Sequence, residues 1–232
     1  KMANHTRVYH SKPSYETILD AVTKQFSSGE GAIQFAPEAI ARSNADILNN
    51  IELRKEFIGI YVEQGKEEAR RWINDNYGPY SEEELNHRMT RYGLNPCGEI
   101  LGNDFHCNLA EVHLNQIDPN DYKEQKKAFK AAALSVACLL NHEFEVERYR
   151  RSREFDPIVG VSFTGLFDFL VHAFGTPWLK WWEEGRPDTI EGKQFKLQES
   201  KYLDSWRMIV KETVWEYCDK HKLRRPNRCT TV

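Results

Sequence analysis

The chain has 232 residues, 40% hydrophobic and 12% aromatic, which is enough apolar material for a real core and too much for a disordered segment. Its 32 basic and 35 acidic side chains are well mixed and leave a formal net charge of −3, arguing against direct nucleic-acid binding or an anionic membrane surface. No apolar run approaches the roughly 18 to 20 residues that span a bilayer, and no signal-peptide pattern opens the chain, so a soluble, cytoplasmic protein is expected. Five cysteines, Cys97, Cys107, Cys138, Cys218 and Cys229, are an odd and scattered set, which favours reduced thiols over a disulfide framework. The chain opens at Lys1 and closes on Cys229-Thr-Thr-Val, a strand-like composition, and so reads as a segment of a longer polypeptide.

The first predicted element is a helix after Ser14, an N-cap, with Tyr15, Ile18, Leu19, Val22 and Phe26 on one face and glycines 29 and 31 at its end. A short strand follows at residues 32–35. Pro37 then favours the start of a second helix over residues 38–48. Leu53, Phe57, Ile60, Tyr61, Ala69, Trp72 and Ile73 predict helix over residues 51–76 with a break at Gly65, and residues 82–88 continue the helical character.

Residues 95–115 read Asn-Pro-Cys-Gly-Glu-Ile-Leu-Gly-Asn-Asp-Phe-His-Cys-Asn-Leu-Ala-Glu-Val-His-Leu-Asn. Pro96 pushes Asn95 into an extended conformation, and Gly98 and Gly102 loosen the backbone, so residues 95–102 predict a shaped loop. Alternate side chains of an extended loop point the same way, so Asn95, Cys97 and Glu99 project to one side as an amide, a thiol and a carboxylate. The alternation that follows predicts a strand over residues 107–115, with Cys107 near its start. Taken alone, a cysteine in a short loop is more often a small buried hydrophobe than a nucleophile.

Residues 123–141 predict the strongest helix, burying Phe129, Ala132, Ala133, Val136, Leu139 and Leu140, with Cys138 as a packed core thiol. Arg148, Arg150, Arg151 and Arg153 interleave with Glu145, Glu147 and Glu154, a solvated and self-paired face. The apolar run at residues 158–165 predicts a buried strand feeding a helix over residues 166–174, an α/β signature. Residues 175–198 show no clear period and are expected as an excursion packed by Trp178, Trp181 and Trp182. Residues 200–222 predict a long amphipathic helix through Leu203, Trp206, Val210, Val214 and Tyr217, with Cys218 in the core. There is no internal repeat and no low-complexity linker.

The text of residues 95–115 resembles the active-site finger loop of ribonucleotide reductases, whose large chains share Asn-x-Cys-x-Glu, and most closely the monomeric, adenosylcobalamin-dependent (class II) ribonucleoside-triphosphate reductases. Ala3-Asn-His-Thr-Arg-Val-Tyr-His, Ser28-Gly-Glu-Gly-Ala-Ile-Gln and Asn227-Arg-Cys-Thr-Thr-Val also resemble that family, so the likeness spans nearly the whole chain. It implies a helix-rich α/β fold, part of a ten-stranded α/β barrel with the finger loop through its middle. Residues 1–232 would form part of a single catalytic barrel domain, with the effector region upstream and the other barrel half downstream.

By the same resemblance, Cys97 is the thiyl radical site, generated through adenosylcobalamin, and takes hydrogen from the ribose 3′ carbon. Glu99 is the general base for the 3′-hydroxyl, Asn95 holds the sugar hydroxyls, and Cys107 is one of two thiols that reduce the intermediate. A thioredoxin-like reductant then resets the disulfide. The implied partners are a ribonucleoside triphosphate, that reductant and the remaining reductase segments. The partner thiol of Cys107 lies upstream in the family, and no cysteine precedes Cys97 here. Two alternatives stay open. One is a class I type chain served by a separate radical subunit. The other is a non-catalytic binding module or a zinc site from Cys97, His106, Cys107 and His113, whose spacing lacks the close ligand pairs of structural zinc.

Overall fold

A computed structural model describes residues 6–29, 31–95, 100–106 and 108–230. The chain is mixed α/β, mostly helical with small sheets, and the described residues form no closed barrel. It divides into two compact units, Lys1–Phe105 and His106–Val232.

The first unit begins with β1 (Thr6–Tyr9), α1 (Tyr15–Ser28) and β2 (Ala32–Phe35), the two strands pairing in parallel. Ser14 caps α1 as expected, its Oγ accepting from the Thr17 N–H at 3.2 Å, and Gly29 ends it at φ 72°. The apolar face of α1, however, is not a core face. Tyr15 and Phe26 are 75% and 93% exposed, Leu19 and Val22 about half exposed, and Ala21 alone is buried.

α2 (Ala36–Ser43) starts with Pro37 in its first turn but stops before residue 48. Asn44 ends it, its Nδ2 donating to the Ile40 carbonyl at 2.9 Å and the Arg88 carbonyl at 3.0 Å, so Leu48 reaches the core from beyond the helix. α3 (Ile51–Gln64) and α4 (Lys66–Tyr77) meet at Gly65, the expected break, and α5 (Glu82–Met89) follows. Ile40, Leu48, Phe57, Ala69 and Ile73 are wholly buried and pack with Tyr61, Leu85 and Met89. Each large aliphatic or aromatic side chain in this cluster contributes about 1.5–3 kcal/mol.

The second unit holds β5 (Leu109–His113), α6 (Tyr122–Leu139), α7 (Glu147–Phe155), β6 (Gly160–Thr164), α8 (Leu166–Glu183) and α9 (Ile190–Lys220). β5 pairs in parallel with β6 from Leu109 opposite Gly160 to His113 opposite Thr164. On its other side β6 meets the chain end, where Val161 bridges Thr230 in parallel and its N–H donates to the Cys229 carbonyl at 3.0 Å. Three segments thus lie side by side in chain order with helices between them. Gly165 turns the chain from β6 into α8 at φ +75°, where a Cβ would also come within 2.9 Å of Asn115.

The core centres on Trp206. Its ring lies 5.0 Å from Phe129, 5.2 Å from Phe169 and 5.6 Å from Phe163, and its Nε1 donates to Gln125 Oε1 at 3.0 Å. Several expectations shift here. The strand stops at His113, and Leu114–Gln116 form a 3-10 turn with Leu114 buried. Residues 175–198 are largely helical rather than an excursion. The helix kinks at Gly175 (φ 71°, ψ −161°), restarts with Pro177 in its first turn and buries Trp178 and Trp181, while α9 begins at Ile190 behind a Thr189 cap. On α6 Leu139 is exposed and Ala137 is buried in its place. Cys138 is exposed, not core, because it lies in the last turn of α6 and meets the Tyr217 hydroxyl at the edge of the contact with α9 rather than inside it. The arginine face is self-paired as expected, Arg151 to Glu154 at 2.5 Å and Arg150 to Glu147 at 3.5 Å.

Candidate functional site

After α5 the chain forms a narrow antiparallel ladder, β3 (Gly93–Leu94) with β4 (Leu101–Gly102), Gly93 opposite Gly102 and Leu94 opposite Leu101. A Cβ on Gly93 would stand 2.7 Å from the Gly102 carbonyl oxygen, so only glycine allows this approach. One step further, the Asn95 N–H donates to the Ile100 carbonyl at 3.2 Å, and the Ile100 N–H donates to Asn95 Oδ1 at 3.0 Å. The chain therefore leaves at Asn95 and returns at Ile100 through backbone and side chain together. The expectations for Cys97 and Glu99 fall outside the described residues, so Asn95 is the member of the trio whose geometry is seen.

The ladder is anchored by a buried polar network that the sequence reading did not single out. Asn44 Oδ1 accepts from Arg88 Nη1 at 3.0 Å and from Arg91 Nη1 at 3.1 Å. Arg91, wholly buried, also donates from Nε to His87 Nδ1 at 3.1 Å, and its carbonyl accepts from Ser43 Oγ at 2.7 Å. Arg88, 1% exposed, pairs with Asp46 at 2.9 Å and Glu84 at 3.0 Å and stacks over the Tyr80 ring at 4.4 Å. Two guanidiniums enter the interior only with their donors met, so the network holds the approach to Tyr92 and Gly93 rigidly. The available sequence signal was a pair of arginines three apart at a helix end beside the loop, a spacing usually read as solvated.

Beyond β4, Asn103 Nδ2 donates to Thr90 Oγ1 at 3.0 Å, again tying the returning strand to the end of α5. In the second unit His106 stacks on Phe144 with ring centres 4.2 Å apart and meets Tyr149 edge-on at 5.0 Å. The expectation for Cys107 also lies outside the described residues. Its neighbour Asn108 is fixed to the start of β6, the Asn108 carbonyl accepting from the Gly160 N–H at 2.9 Å. Of the histidines in the zinc alternative, His106 is engaged in that ring stack and His113 is an exposed residue ending β5. Among the described residues no group of three or more His, Cys, Asp or Glu side chains is disposed to hold a metal ion.

The remaining thiols differ sharply in setting. Burial pushes the Cys218 thiol up to about 11 and the Cys229 thiol up to about 12, so both stay neutral near pH 7 and are poor nucleophiles. Burial and a hydrogen bond with Cys138 raise the Tyr217 phenol, whose ring also stacks on His221 at 4.2 Å.

No match to the chain is found among protein-family models, curated proteins or solved structures. No helix among the described residues is long and apolar enough to cross a membrane.

Proposed function

We propose that the chain is part of the catalytic barrel of a radical ribonucleoside-triphosphate reductase of the adenosylcobalamin-dependent class, acting in the cytoplasm to supply deoxyribonucleotides for DNA synthesis. The observation that carries the reading is the residue order Asn95, Cys97 and Glu99 in a segment whose ends Asn95 and Ile100 are doubly bonded to each other, with Cys107 following in the sequence. A thiol between an amide and a carboxylate is the set that the resembled reductases place at the ribose. The fold proposed with it is part of a ten-stranded α/β barrel. β5, β6 and residues 228–230 run parallel in chain order with helical connections, an α/β arrangement that a barrel sheet shares with one half of a doubly wound sheet.

Adenosylcobalamin, when bound, supplies the carbon radical from which a protein thiyl is made. The chain supplies the radical half of the site. Cys97, as thiyl, removes the ribose 3′ hydrogen, and Glu99 takes the 3′-hydroxyl proton, which eases departure of the 2′-hydroxyl as water. Asn95 holds the sugar hydroxyls by its amide, whose Oδ1 also accepts from the Ile100 N–H. Cys107 contributes one of the two thiols whose oxidation to a disulfide provides two electrons, and a thioredoxin-like reductant restores them. The other thiol and the phosphate-binding parts belong to the remaining reductase segments.

The test is Cys97→Ser in the polypeptide that carries this chain, assayed for reduction of a ribonucleoside triphosphate with and without adenosylcobalamin. Loss of all turnover in the variant, together with strict cobalamin dependence of the parent, is expected. Turnover by the variant sinks the reading, and cobalamin-independent turnover by the parent reassigns it to a class served by a separate radical subunit.

A further inference from the structure

The exposed side of α1 is symmetric about its own middle. Tyr15, Leu19, Val22 and Phe26 follow at intervals of four, three and four, the seam spacing of paired helices, and the row reads the same from either end. All four are well exposed, from 47% for Val22 to 93% for Phe26, and a continuous apolar row of this kind marks a contact surface. Beside the N-terminal end of the row opens an apolar cleft of about 500 Å³, lined by Lys12, Pro13, Ile18, Ile33, Phe35 and Val62. It has ample room for a phenyl ring, since a cavity of about 150 Å³ already holds benzene.

The projecting ring and the hollow select the occupant. Phe26 stands at one end of α1 and the cleft at the other, so a second α1 brings its Phe26 to the cleft only when it lies antiparallel. The twofold axis then passes between Asp20 and Ala21. It sets Leu19 opposite the partner's Val22, and Tyr15 opposite the partner's Phe26, within a turn of Ile18 and Pro13 in the cleft wall. Charge agrees with this register. The last turn of α1 carries no basic side chain, and Lys12 of one copy comes beside the C-terminal carbonyls of the other, where a cation is favoured. Two aromatics at 150–250 Å² each when fully buried, with Leu19 and Val22, bring roughly 500 Å² per copy, about the 1,000 Å² in all that a specific interface requires. We propose that α1 is the interface of a twofold dimer of this chain, in which the two α1 helices pack antiparallel and each Phe26 enters the other copy's cleft. The inference is independent of the reductase reading.

The experiment is sedimentation velocity on the 232-residue chain across the micromolar range, with Phe26→Ser and Lys12→Glu alongside. Both positions are exposed, so both variants keep the fold, which circular dichroism checks. The parent is expected to reach a dimer plateau. Phe26→Ser should raise the dissociation constant by about a hundredfold or more, because one substitution removes two contacts across the axis. Lys12→Glu should raise it by about tenfold, since it turns two favourable charges at helix ends into unfavourable ones. In a dimer of labelled and unlabelled copies, isotope-filtered NMR should connect Tyr15 of one copy with Phe26 of the other. A parent that stays monomeric, as it would if another segment or partner were needed to cover α1, overturns the proposal. So do growth past the dimer without a plateau, parent affinity in either variant, and a contact of Phe26 with Phe26 across the axis.

Discussion

Asn95 and Ile100 are bonded to each other twice, once through their backbones at 3.2 Å and once from the Ile100 N–H to Asn95 Oδ1 at 3.0 Å. A side chain assigned to substrate on sequence grounds thus also closes its own loop. The two roles separate by experiment. Asn95→Ala removes the side-chain acceptor of the Ile100 N–H, whose loss should cost about 0.5–1.5 kcal/mol in urea denaturation. In the reductase assay, kcat/KM should fall by more than that stability change explains. An unaltered kcat/KM would leave Asn95 with the structural role alone.

Glu99→Gln keeps the size of the side chain and removes the base. Thiyl formation at Cys97, read by rapid-freeze electron paramagnetic resonance, should persist, while turnover drops by about 10² to 10⁴. Parent-like turnover in this variant would show that the carboxylate takes no proton.

The buried guanidinium of Arg88 pairs with Asp46 and Glu84 while sharing Asn44 with Arg91. Arg88→Met leaves two carboxylates and an amide oxygen without that partner, and should destabilise the chain by about 3–5 kcal/mol in chemical denaturation. A loss under 1 kcal/mol would mean that water compensates the network fully.

Trp206 donates its indole N–H to Gln125, whose own amide holds the Pro119 carbonyl at 2.9 Å. Gln125→Leu strips partners from both ends of that relay and should cost about 1–3 kcal/mol. Trp206 fluorescence should shift as its indole loses the bond. An unshifted spectrum with unchanged stability would count against the relay.

Cys218 and Cys229 supply a pH test. Their thiols sit at about 11 and about 12 in the folded chain against an ordinary value of 9.0, both chiefly because burial disfavours the thiolate. The unfolded state therefore releases these protons first. The stability they contribute is complete below pH 9 and is lost as pH rises from there through 11 and 12. Cys218→Val with Cys229→Ala should flatten the fall in denaturation midpoint above pH 9 relative to the parent. In the native parent at pH 8, iodoacetamide should label the exposed Cys138 and spare both buried thiols. Rapid labelling of Cys218 would contradict the burial argument.

Local signals carried the elements whose ends are set by nearby residues. The Ser14 cap, the Gly65 break, the strand at residues 32–35 and the turn at Gly165 all depend on interactions within a few positions, so they were legible in the residue order. The order of Asn95, Cys97, Glu99 and Cys107 was legible for the same reason, since a loop motif is contiguous. Facing was not legible. Periodicity shows that α1 has an apolar side and that Cys138 lies on a helix, but whether another element covers that side depends on distant chain. Tyr15 and Phe26 therefore proved exposed, and Cys138 lay at the exposed edge of the contact between α6 and α9. The network of Asn44, His87, Arg88 and Arg91 joins residues more than 40 positions apart, and only the tertiary fold could show that two arginines beside a polar loop point inward. Their burial depends on the partners brought to meet their charges, and those partners are assembled by the packing of α2 against the end of α5 rather than by local sequence.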